Sequence, residues 1–227
     1  MIVGTGRSLL FLHWPLPAEV VRPLVPPPLT IDEYAGTAYV GLVPHAVAFA
    51  RLSGLPRALG HSFLETRVRT YVQLNGHDPG IYLFSADASS RIAVLLARRR
   101  VGLPYFGARI RLARSGGVIV YEVARRTPGG PRLRAVYRPD EAIGAAAPGT
   151  LEHFLIERYA QHVERNGAIW TARVKHRPCA LQRAALLELQ DELVAAAGLP
   201  APGHPPALSH YVERVEMQFF PPQPANV

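Results

Sequence analysis

One stretch of the chain carries, at regular spacing, side chains that could perform acid–base chemistry. At every second position of this stretch, residues 63–74, the side chains are Glu65, Arg67, Arg69 and Tyr71. On a β-strand, residues two apart lie on one face. A row of charges cannot face a dry core without partners, so this face contacts either water or a polar cavity.

The two environments predict different roles for the row. In a polar cavity, an arginine could bind a carboxylate or an enolate while Glu65 transfers protons. On the outside of a sheet, the same residues would form a solvated face with cross-strand ion pairs. The spacing alone is compatible with both environments.

Other short catalytic motifs are missing from the sequence. It contains no phosphate-binding Gly-Lys-Ser/Thr loop and no serine in a Gly-x-Ser-x-Gly turn. His153 and Glu157 lie one helical turn apart, but no third residue has a compelling position as a metal ligand. Cys179 has no evident activating partner and is expected to be inert. We therefore expect neither a metal nor a cofactor.

Turn and cap signals divide the chain into mostly antiparallel strands with three or four helices. Strands are predicted over residues 29–33, 37–52, 63–74, 81–86, 105–113, 118–126, 132–138, 168–176 and 208–219. Helices are predicted after Pro17, from Asp87 or Ser89 to the arginines at 98–100, from Thr150 to Asn166-Gly167, and from Leu181 to Ala197. Alternating β-α-β units are absent, which indicates an α+β fold rather than a doubly wound sheet.

The composition is that of a globular protein. Of 227 residues, 48% are hydrophobic and 19% are charged, which suffices to bury a full core, and we expect a single domain over residues 1–227. The longest apolar stretch, residues 38–50, is interrupted by Pro44 and His45 and falls short of the roughly 18 residues of a membrane helix. The single cysteine excludes an internal disulfide and suits a reducing compartment. We expect a cytoplasmic protein with no membrane partner.

The net charge of +8 raises the question of nucleic-acid binding. Residues 1–139 hold 18 arginines against 7 acidic residues, whereas residues 140–227 carry a net charge of −3. Every basic residue except Lys175 is an arginine, which a GC-rich codon usage would produce without selection for phosphate binding. An arginine-rich nucleic-acid binder is therefore kept only as a lesser alternative.

Six segments resemble the bacterial YqjF-like family of uncharacterised proteins. They are Phe11-Leu12-His13-Trp14-Pro15, residues 36–44 (Gly-Thr-Ala-Tyr-Val-Gly-Leu-Val-Pro), Glu65 with Arg69-Thr70-Tyr71-Val72, Phe84-Ser85-Ala86-Asp87-Ala88, Gly102-Leu103-Pro104-Tyr105-Phe106 and Phe154-Leu155-Ile156-Glu157-Arg158-Tyr159. This family is distantly similar to acetoacetate decarboxylase. The resemblance implies a mostly antiparallel β barrel or cone with an internal cavity and flanking helices, usually assembled as a homo-oligomer.

The resemblance also implies roles for the charged row. In the decarboxylase relatives, a glutamate and an arginine line the cavity beside a Schiff-base lysine and a second lysine; Glu65 looks like the glutamate and Arg69 like a cavity cation. The lysines do not carry over, because residues 98–104 read Arg-Arg-Arg-Val-Gly-Leu-Pro and arginine cannot form an imine. Two further departures from the family pattern are Arg67, where asparagine is expected, and Cys179, where tryptophan is expected.

These observations lead to one main functional prediction. The chain is expected to bind a small acidic or carbonyl-bearing metabolite inside the barrel, without Schiff-base chemistry. If it is an enzyme, Glu65 serves as general acid or base and Arg69 as anion partner, which suits a lyase, isomerase or hydrolase. The predicted ligand contacts are Arg67, Tyr71, Tyr105 and His176. The alternative is a non-catalytic binding or structural homo-oligomer.

Overall fold

Thirteen strands of one sheet dominate the computed structural model, which describes residues 1–225. The strands are β1 (Ile2–Leu16), β2 (Leu29–Ile31), β3 (Ala38–Leu52), β4 (His61–Leu74), β5 (Asp78–Ala88), β6 (Tyr105–Ser115), β7 (Val118–Arg125), β8 (Arg132–Gly144), β9 (Ala160–Arg165), β10 (Ala168–His176), β11 (Leu181–Asp191), β12 (Leu208–Phe219) and β13 (Gln223–Pro224). The last two residues of the predicted domain, 226 and 227, lie outside the described residues.

Four short α-helices connect these strands. They are α1 (Ala18–Val21), α2 (Arg91–Leu96), α3 (Leu151–Ile156) and α4 (Leu193–Ala196). A π-helical turn, Ala97–Val101, continues α2, and 3-10 turns occupy Arg22–Leu24 and Arg57–Leu59. None of the helices in residues 1–225 has the length and hydrophobicity needed to cross a lipid bilayer.

The sheet closes on itself through two routes. Nine strands follow one another in the order β5-β6-β7-β8-β11-β12-β1-β3-β4, and the pairing of β4 with β5 closes them into a ring. A second route leads from β5 through β9 and β10 to β12 and closes a smaller ring. All pairings are antiparallel except β5–β6 and β5–β9. The predicted mostly antiparallel, barrel-like fold with flanking helices is confirmed.

Strands β1, β3 and β4 separate the interiors of the two rings. One core packs against side chains such as Leu10, Leu42 and Val68, and the other against their strand neighbours, including Phe11 and Val43. Since neighbouring residues of a strand point to opposite faces, these three strands are buried on both sides. Both faces of β4 therefore lie inside the molecule.

The helix predicted over Leu181 to Ala197 is wrong. Residues Leu181–Asp191 form strand β11, which pairs with β8 over nearly its whole length, and only Leu193–Ala196 is helical. The segment is rich in alanine, leucine, glutamate and glutamine, whose helix preference is worth only tenths of a kcal/mol per residue. Pairing between two strand neighbours of the ring overrides that preference.

The helix predicted from Thr150 starts correctly but ends too late. Thr150 accepts a hydrogen bond from the His153 amide, 3.2 Å long, as a helix N-cap does. The helix stops at Ile156, and Asn166-Gly167, taken as its C-terminal cap, instead forms the turn between β9 and β10. Both residues have positive φ, 54° and 77°, as a two-residue hairpin turn requires.

Other local predictions are confirmed. Ser90 caps α2 by accepting a hydrogen bond from the Ala93 amide, and Gly102, with φ of 84°, ends the helical segment. Strands β6, β7 and β8 form the predicted antiparallel meander. The hairpin of β4 and β5 turns at Asn75 and Gly76, which both adopt positive φ.

The parallel contact of β5 with β9 should not tolerate a side chain at Gly80. A Cβ there would lie 2.6 Å from His162 Nε2 and 2.8 Å from the Ala160 carbonyl oxygen. We expect Gly80→Ala to lower the free energy of unfolding by about 1–3 kcal/mol, because the strands must separate. Urea unfolding measures this change. Gly203→Ala, where nothing lies within 4 Å, is the matched control and should be nearly neutral; equal stability of the two variants would contradict the close approach.

Candidate functional site

The charged face of β4 lies in the interior of the smaller ring. Glu65 is 1% exposed and Arg69 is 7% exposed. Tyr71 belongs to the same core as Phe11 and Val43, so the face points towards that core. The alternative of a solvated outer face, left open by the sequence, is therefore wrong.

Glu65 accepts hydrogen bonds from side chains on three strands, β4, β6 and β7. The Nε of Arg67 donates to Glu65 Oε1, and the Tyr105 hydroxyl on β6 donates to Oε2 over 2.9 Å. His45 is the cross-strand partner of Glu65 on β3, and its Nε2 lies 3.5 Å from Oε1. From the opposite side of the sheet, the Tyr121 hydroxyl donates to the backbone oxygen of Glu65 over 2.8 Å. We call Glu65, Arg67, Tyr105 and His45 the glutamate group.

Electrostatics fix the charge states of this group. Burial alone raises the pKa of Glu65, but the Arg67 charge and the hydrogen bonds from Arg67 and Tyr105 outweigh it, so the pKa lies below the usual range. Burial lowers the pKa of His45 to about 4, although the Glu65 charge opposes the shift. At neutral pH, Glu65 is thus a carboxylate and His45 is neutral. In this state, Glu65 can accept a proton but has none to donate.

Arg69 belongs to a second set of contacts on the same face. Its Nη2 donates to the Leu155 carbonyl oxygen over 3.0 Å and to the Tyr71 hydroxyl over 3.4 Å. Tyr71 also donates to Leu155, over 2.9 Å. Leu155 lies in the last turn of α3, whose carbonyls have no partners within the helix, so Arg69 and Tyr71 cap that end. The guanidinium carbon of Arg69 lies over the ring of Phe11, 5.5 Å from its centroid.

His13 completes this second set. Its Nε2 lies 2.8 Å from the Tyr71 hydroxyl, whose proton already goes to Leu155, so Nε2 must be the donor. Burial, assisted by the Arg69 charge, holds the pKa of His13 well below its ordinary value. The ring is therefore neutral and its Nδ1 is an acceptor. Gly41 leaves room for the ring, because a Cβ there would lie 3.2 Å from His13 Cδ2.

Three buried nitrogen atoms in this region have no hydrogen-bond partner among residues 1–225. They are Arg69 Nε, His13 Nδ1 and His210 Nδ1. His210 on β12 is the cross-strand partner of Phe11, so the two side chains share one face. Buried polar atoms without partners are rare in folded proteins. We call Arg69, Tyr71, His13 and His210 the arginine group.

His176 lies in neither group. Its Nδ1 is 3.9 Å from Glu157 Oε2, and its ring stacks on Tyr159 with 4.6 Å between centroids. Glu157 also accepts the backbone amide of Cys179 over 2.8 Å. Burial, together with the Glu157 charge, raises the pKa of Cys179 to about 12, so the thiol stays protonated, as inertness requires.

The predicted site residues thus fall into three sets. Glu65, Arg67 and Tyr105 come together, Arg69 and Tyr71 form the second set, and His176 stands apart. Sequence reasoning missed His13, His45 and His210 as members of these sets. The alternation of Leu9, Phe11 and His13 is the sequence signal of this strand face.

The surface offers other concave regions. Two surface pockets, of about 670 Å³ and 330 Å³, are lined by none of the predicted site residues. Lys175, the one lysine of the sequence, is exposed on β10. No group of three or more His, Cys, Asp or Glu side chains suited to a metal ion occurs within the part of the chain that the structure describes.

Sequence comparison identifies relatives over most of the chain. Residues 5–216 match the model of a family described as DUF2071, uncharacterized conserved protein. The uncharacterized protein YqjF of Bacillus subtilis (strain 168) is 34% identical over 218 residues, covering 96% of this chain and 89% of that protein.

Structure comparison identifies proteins of the same fold at low identity. The enduracididine biosynthesis enzyme MppR, complexed with pyruvate, superposes with a TM-score of 0.68 at 13% identity, covering 99% of this chain and 90% of that one. Acetoacetate decarboxylase from Legionella pneumophila superposes with a TM-score of 0.64 at 11% identity, covering 99% of this chain and 87% of that one. At such identities the likeness shows the fold.

The buried neutral His45 should make stability depend on pH. As pH falls from 6.5 to about 4, the unfolded chain protonates at this residue while the folded chain does not, so the free energy of unfolding falls by roughly 3 kcal/mol. His45→Gln should remove up to about 1.4 kcal/mol per pH unit of this dependence. Urea unfolding at several pH values measures it. The exposed control His204→Gln should keep the wild-type slope, and an unchanged slope in His45→Gln would refute the assignment.

Proposed function

Because this chain belongs to the DUF2071 family and shares its fold with acetoacetate decarboxylase-like proteins, we propose that it binds a small carboxylate or carbonyl metabolite in its interior. In this proposal the arginine group holds the anionic end of the ligand. Glu65 of the glutamate group is the acid–base residue, and no imine is formed.

One observation carries the proposal: Arg69 is a buried cation without an acidic partner. None of the described acidic groups lies within ion-pair distance of Arg69, which hydrogen-bonds only to a carbonyl and a hydroxyl oxygen. Its Nε has no partner. A buried charge without a counter-ion is costly. An anionic ligand would neutralise it and use the free donor.

The charge balance favours a ligand with a single negative charge. Arg67 is neutralised by Glu65, so Arg69 is the remaining cation of this face. His13 and His210, which have lowered pKa values because of burial, add no charge at neutral pH. His13 Nδ1 accepts hydrogen bonds, so it fits a hydroxyl of the ligand. A small monocarboxylate with a hydroxyl or enol group fits both unpartnered nitrogens: its carboxylate accepts from Arg69 Nε, and its hydroxyl donates to His13 Nδ1.

A relative of the same fold supports this ligand class. The solved structure of MppR is a complex with pyruvate, a small monocarboxylate with a neighbouring carbonyl. The cores around the arginine group are apolar apart from the groups named above, with Leu9, Phe11 and Val212 among the lining residues. An apolar surrounding strengthens the attraction between Arg69 and a carboxylate.

Glu65 would act as a base in this site. Its carboxylate is ionised at neutral pH and can take a proton from carbon or from water. Glu65 and Arg69 are four residues apart on β4, roughly 13 Å between Cα atoms at strand geometry. A ligand bound by Arg69 must therefore extend past Arg67 to reach Glu65.

The distribution of amines argues against an imine intermediate. Lys175 is exposed on β10, and Arg98, Arg99 and Arg100 stand where the decarboxylase lysines are expected. Arginine stays protonated and does not form Schiff bases. Proton transfer without a covalent amine adduct is the chemistry that the interior side chains support.

Binding without turnover is the second candidate. All the donors around Glu65 are already engaged with it, and its pKa is lowered, both of which describe a structural ion pair as well as a base. Arg69 likewise caps α3. These contacts favour a binding protein in which Glu65 has no chemical role.

A thermal-shift series tests ligand binding. Pyruvate and lactate are compared with the neutral amide of pyruvate; ligand at about 100 times Kd should raise the melting temperature by roughly 5–10 °C. Arg69→Met should abolish the shift and still fold, because it removes an unpaired buried charge. The exposed control Arg138→Met should keep the shift. Equal shifts for the acids and the amide, or in Arg69→Met, would exclude Arg69 as the anion partner.

Deuterium exchange tests the role of Glu65. A monocarboxylate must be long enough to reach from Arg69 to Glu65, so the probe is a keto acid such as 5-oxohexanoate, whose ketone lies at the far end from the carboxylate. A base at Glu65 should exchange the protons beside that ketone in D2O, which NMR detects. Glu65→Gln should lose at least about 100-fold in exchange rate while keeping the thermal shift. The control Glu141→Gln, at a surface ion pair, should exchange at the wild-type rate.

The folding of the glutamate variant needs its own check. Glu65→Gln leaves Arg67 without its counter-ion, which costs about 3–5 kcal/mol when a buried pair is broken. The double variant Glu65→Gln with Arg67→Asn removes both charges and should restore stability. Ligand binding without any exchange in the wild-type protein would favour the non-catalytic candidate.

A further inference from the structure

Exposed apolar side chains are concentrated at one end of the sheet. Of the twelve large hydrophobic residues that are exposed in residues 1–225, eight belong to this set. They are Met1, Ile2, Leu52, Leu55, Leu59, Ile92, Leu95 and Leu96, and we call them the apolar rim. Leu59 is 67% exposed and Ile92 is 62% exposed, so these are not edges of the core. A contiguous exposed apolar region marks an interaction site.

The topology places the rim at the ends of four neighbouring strands. Ile2 at the start of β1 pairs with Leu52 at the end of β3, and the loop from there to β4 carries Leu55 and Leu59. Strand β5 ends beside the start of β4, and α2 follows it. His61 Nε2 lies 2.7 Å from Ser90 Oγ, which ties the loop to α2. Adjacent strands lie about 4.8 Å apart, so the whole rim spans roughly 15 Å at its base.

The two segments that carry most of the rim, residues 51–60 and 91–100, contain arginines and no acidic residue. No Asp or Glu occurs between Glu33 and Glu65 or between Asp87 and Glu122. The arginines of the two rim segments are Arg51, Arg57, Arg91, Arg98, Arg99 and Arg100. Five of them are exposed, and none of the six forms an ion pair within the described residues. Glu216 on β12 forms an ion pair with Arg214. The hydrogen bond from Arg214 lowers the pKa of Glu216, and the Arg57 charge adds to this lowering.

Helix α2 and its π-helical extension combine exposed apolar side chains with exposed arginines within one segment. Val94 and Ala97 pack against the buried residues Ala86, Ala88 and Tyr105, which fixes the inner side of the segment. At 100° per residue, Ile92, Leu95 and Leu96 lie on the outer side. Arg98, Arg99 and Arg100 follow in the π-helical turn, and all three are exposed. An outward apolar stripe framed by cations is typical of helices that lie in a membrane interface.

We propose that the apolar rim is a docking surface for an anionic lipid membrane. The leucine and isoleucine side chains enter the boundary between headgroups and acyl chains, and the arginines contact lipid phosphates and carboxylates. The sequence-based expectation of no membrane partner rested on the lack of a spanning segment, and surface binding requires none. The proposal does not rest on the function proposed for the interior.

Charge complementarity selects this occupant over two others. A second copy docking through a twofold axis would bring the same patch against itself and crowd up to twelve arginines together. A nucleic acid would match the arginines but gain nothing from Ile92, Leu95 and Leu96, which base edges and phosphates do not contact favourably. An anionic membrane satisfies both the apolar and the cationic parts.

Vesicle sedimentation with the full chain tests the proposal. The probes are vesicles of phosphatidylcholine alone and vesicles of phosphatidylcholine mixed with phosphatidylserine. Wild-type protein should bind only the anionic vesicles, and added salt should weaken the binding. Leu95→Ser should weaken it about tenfold, and Arg99→Gln about fivefold.

Two matched variants separate the rim from general effects. Leu187→Ser replaces a leucine on β11 that is at least as exposed as Leu95, and Arg138→Gln replaces an exposed arginine on β8; both should bind like the wild type. Failure to bind anionic vesicles, or equal loss in Leu95→Ser and Leu187→Ser, would overturn the proposal. So would a concentration-dependent dimer that Leu95→Ser dissociates, which would assign the rim to a second copy, or DNA binding that Arg99→Gln weakens and Leu95→Ser does not.

Discussion

The ion pair between Glu65 and Arg67 determines how the rest of the interior is built. Strand β4 is buried on both faces, and a charge row on such a strand is stable only if its members are neutralised in place. Tyr105 and Tyr121 hold the glutamate side chain and its backbone oxygen from neighbouring strands, and the neutral ring of His45 lies beside it. The position of β6 and β7 relative to β4 is thus tied to this pair. Arg69, two residues after Arg67 on β4, is the charge of this row that has no acidic partner.

The shared strands of the two rings explain why polar and apolar interiors coexist. The larger ring is filled with side chains such as Leu42, Val68 and Tyr137, and it provides a rigid support on one side of β4. The smaller ring receives the opposite side chains of the same strands and is closed by α3, whose last carbonyls meet Arg69 and Tyr71. The candidate site can lie in the smaller ring because the larger ring supplies most of the apolar packing.

Sequence reasoning recovered the architecture where turn chemistry was explicit. Strand alternation in β4, the β6–β8 meander and the cap at Ser90 follow from local rules and agree with the structure. The predicted helix was wrong where strand pairing overrode helix preference, as in β11. The predicted helix end was wrong because Asn166-Gly167 suits both a helix C-terminus and a hairpin turn. The site was predicted only in part. Alternation cannot reveal which side of a strand is buried when both are. His13 and His45 reach Tyr71 and Glu65 from other strands, so strand pairing and not spacing brings them together.

The pairing of β1 with β12 has a consequence for how the chain is made. Gly4 lies opposite Met217, so β1 and one of its two neighbours are separated by most of the other strands in the chain. During synthesis, β1 can pair with β3 as soon as both have left the ribosome, but its other edge stays open until β12 emerges. An open strand edge of fifteen residues invites pairing with other chains. The ring can therefore close only after β12 has emerged, however early the other strands pair.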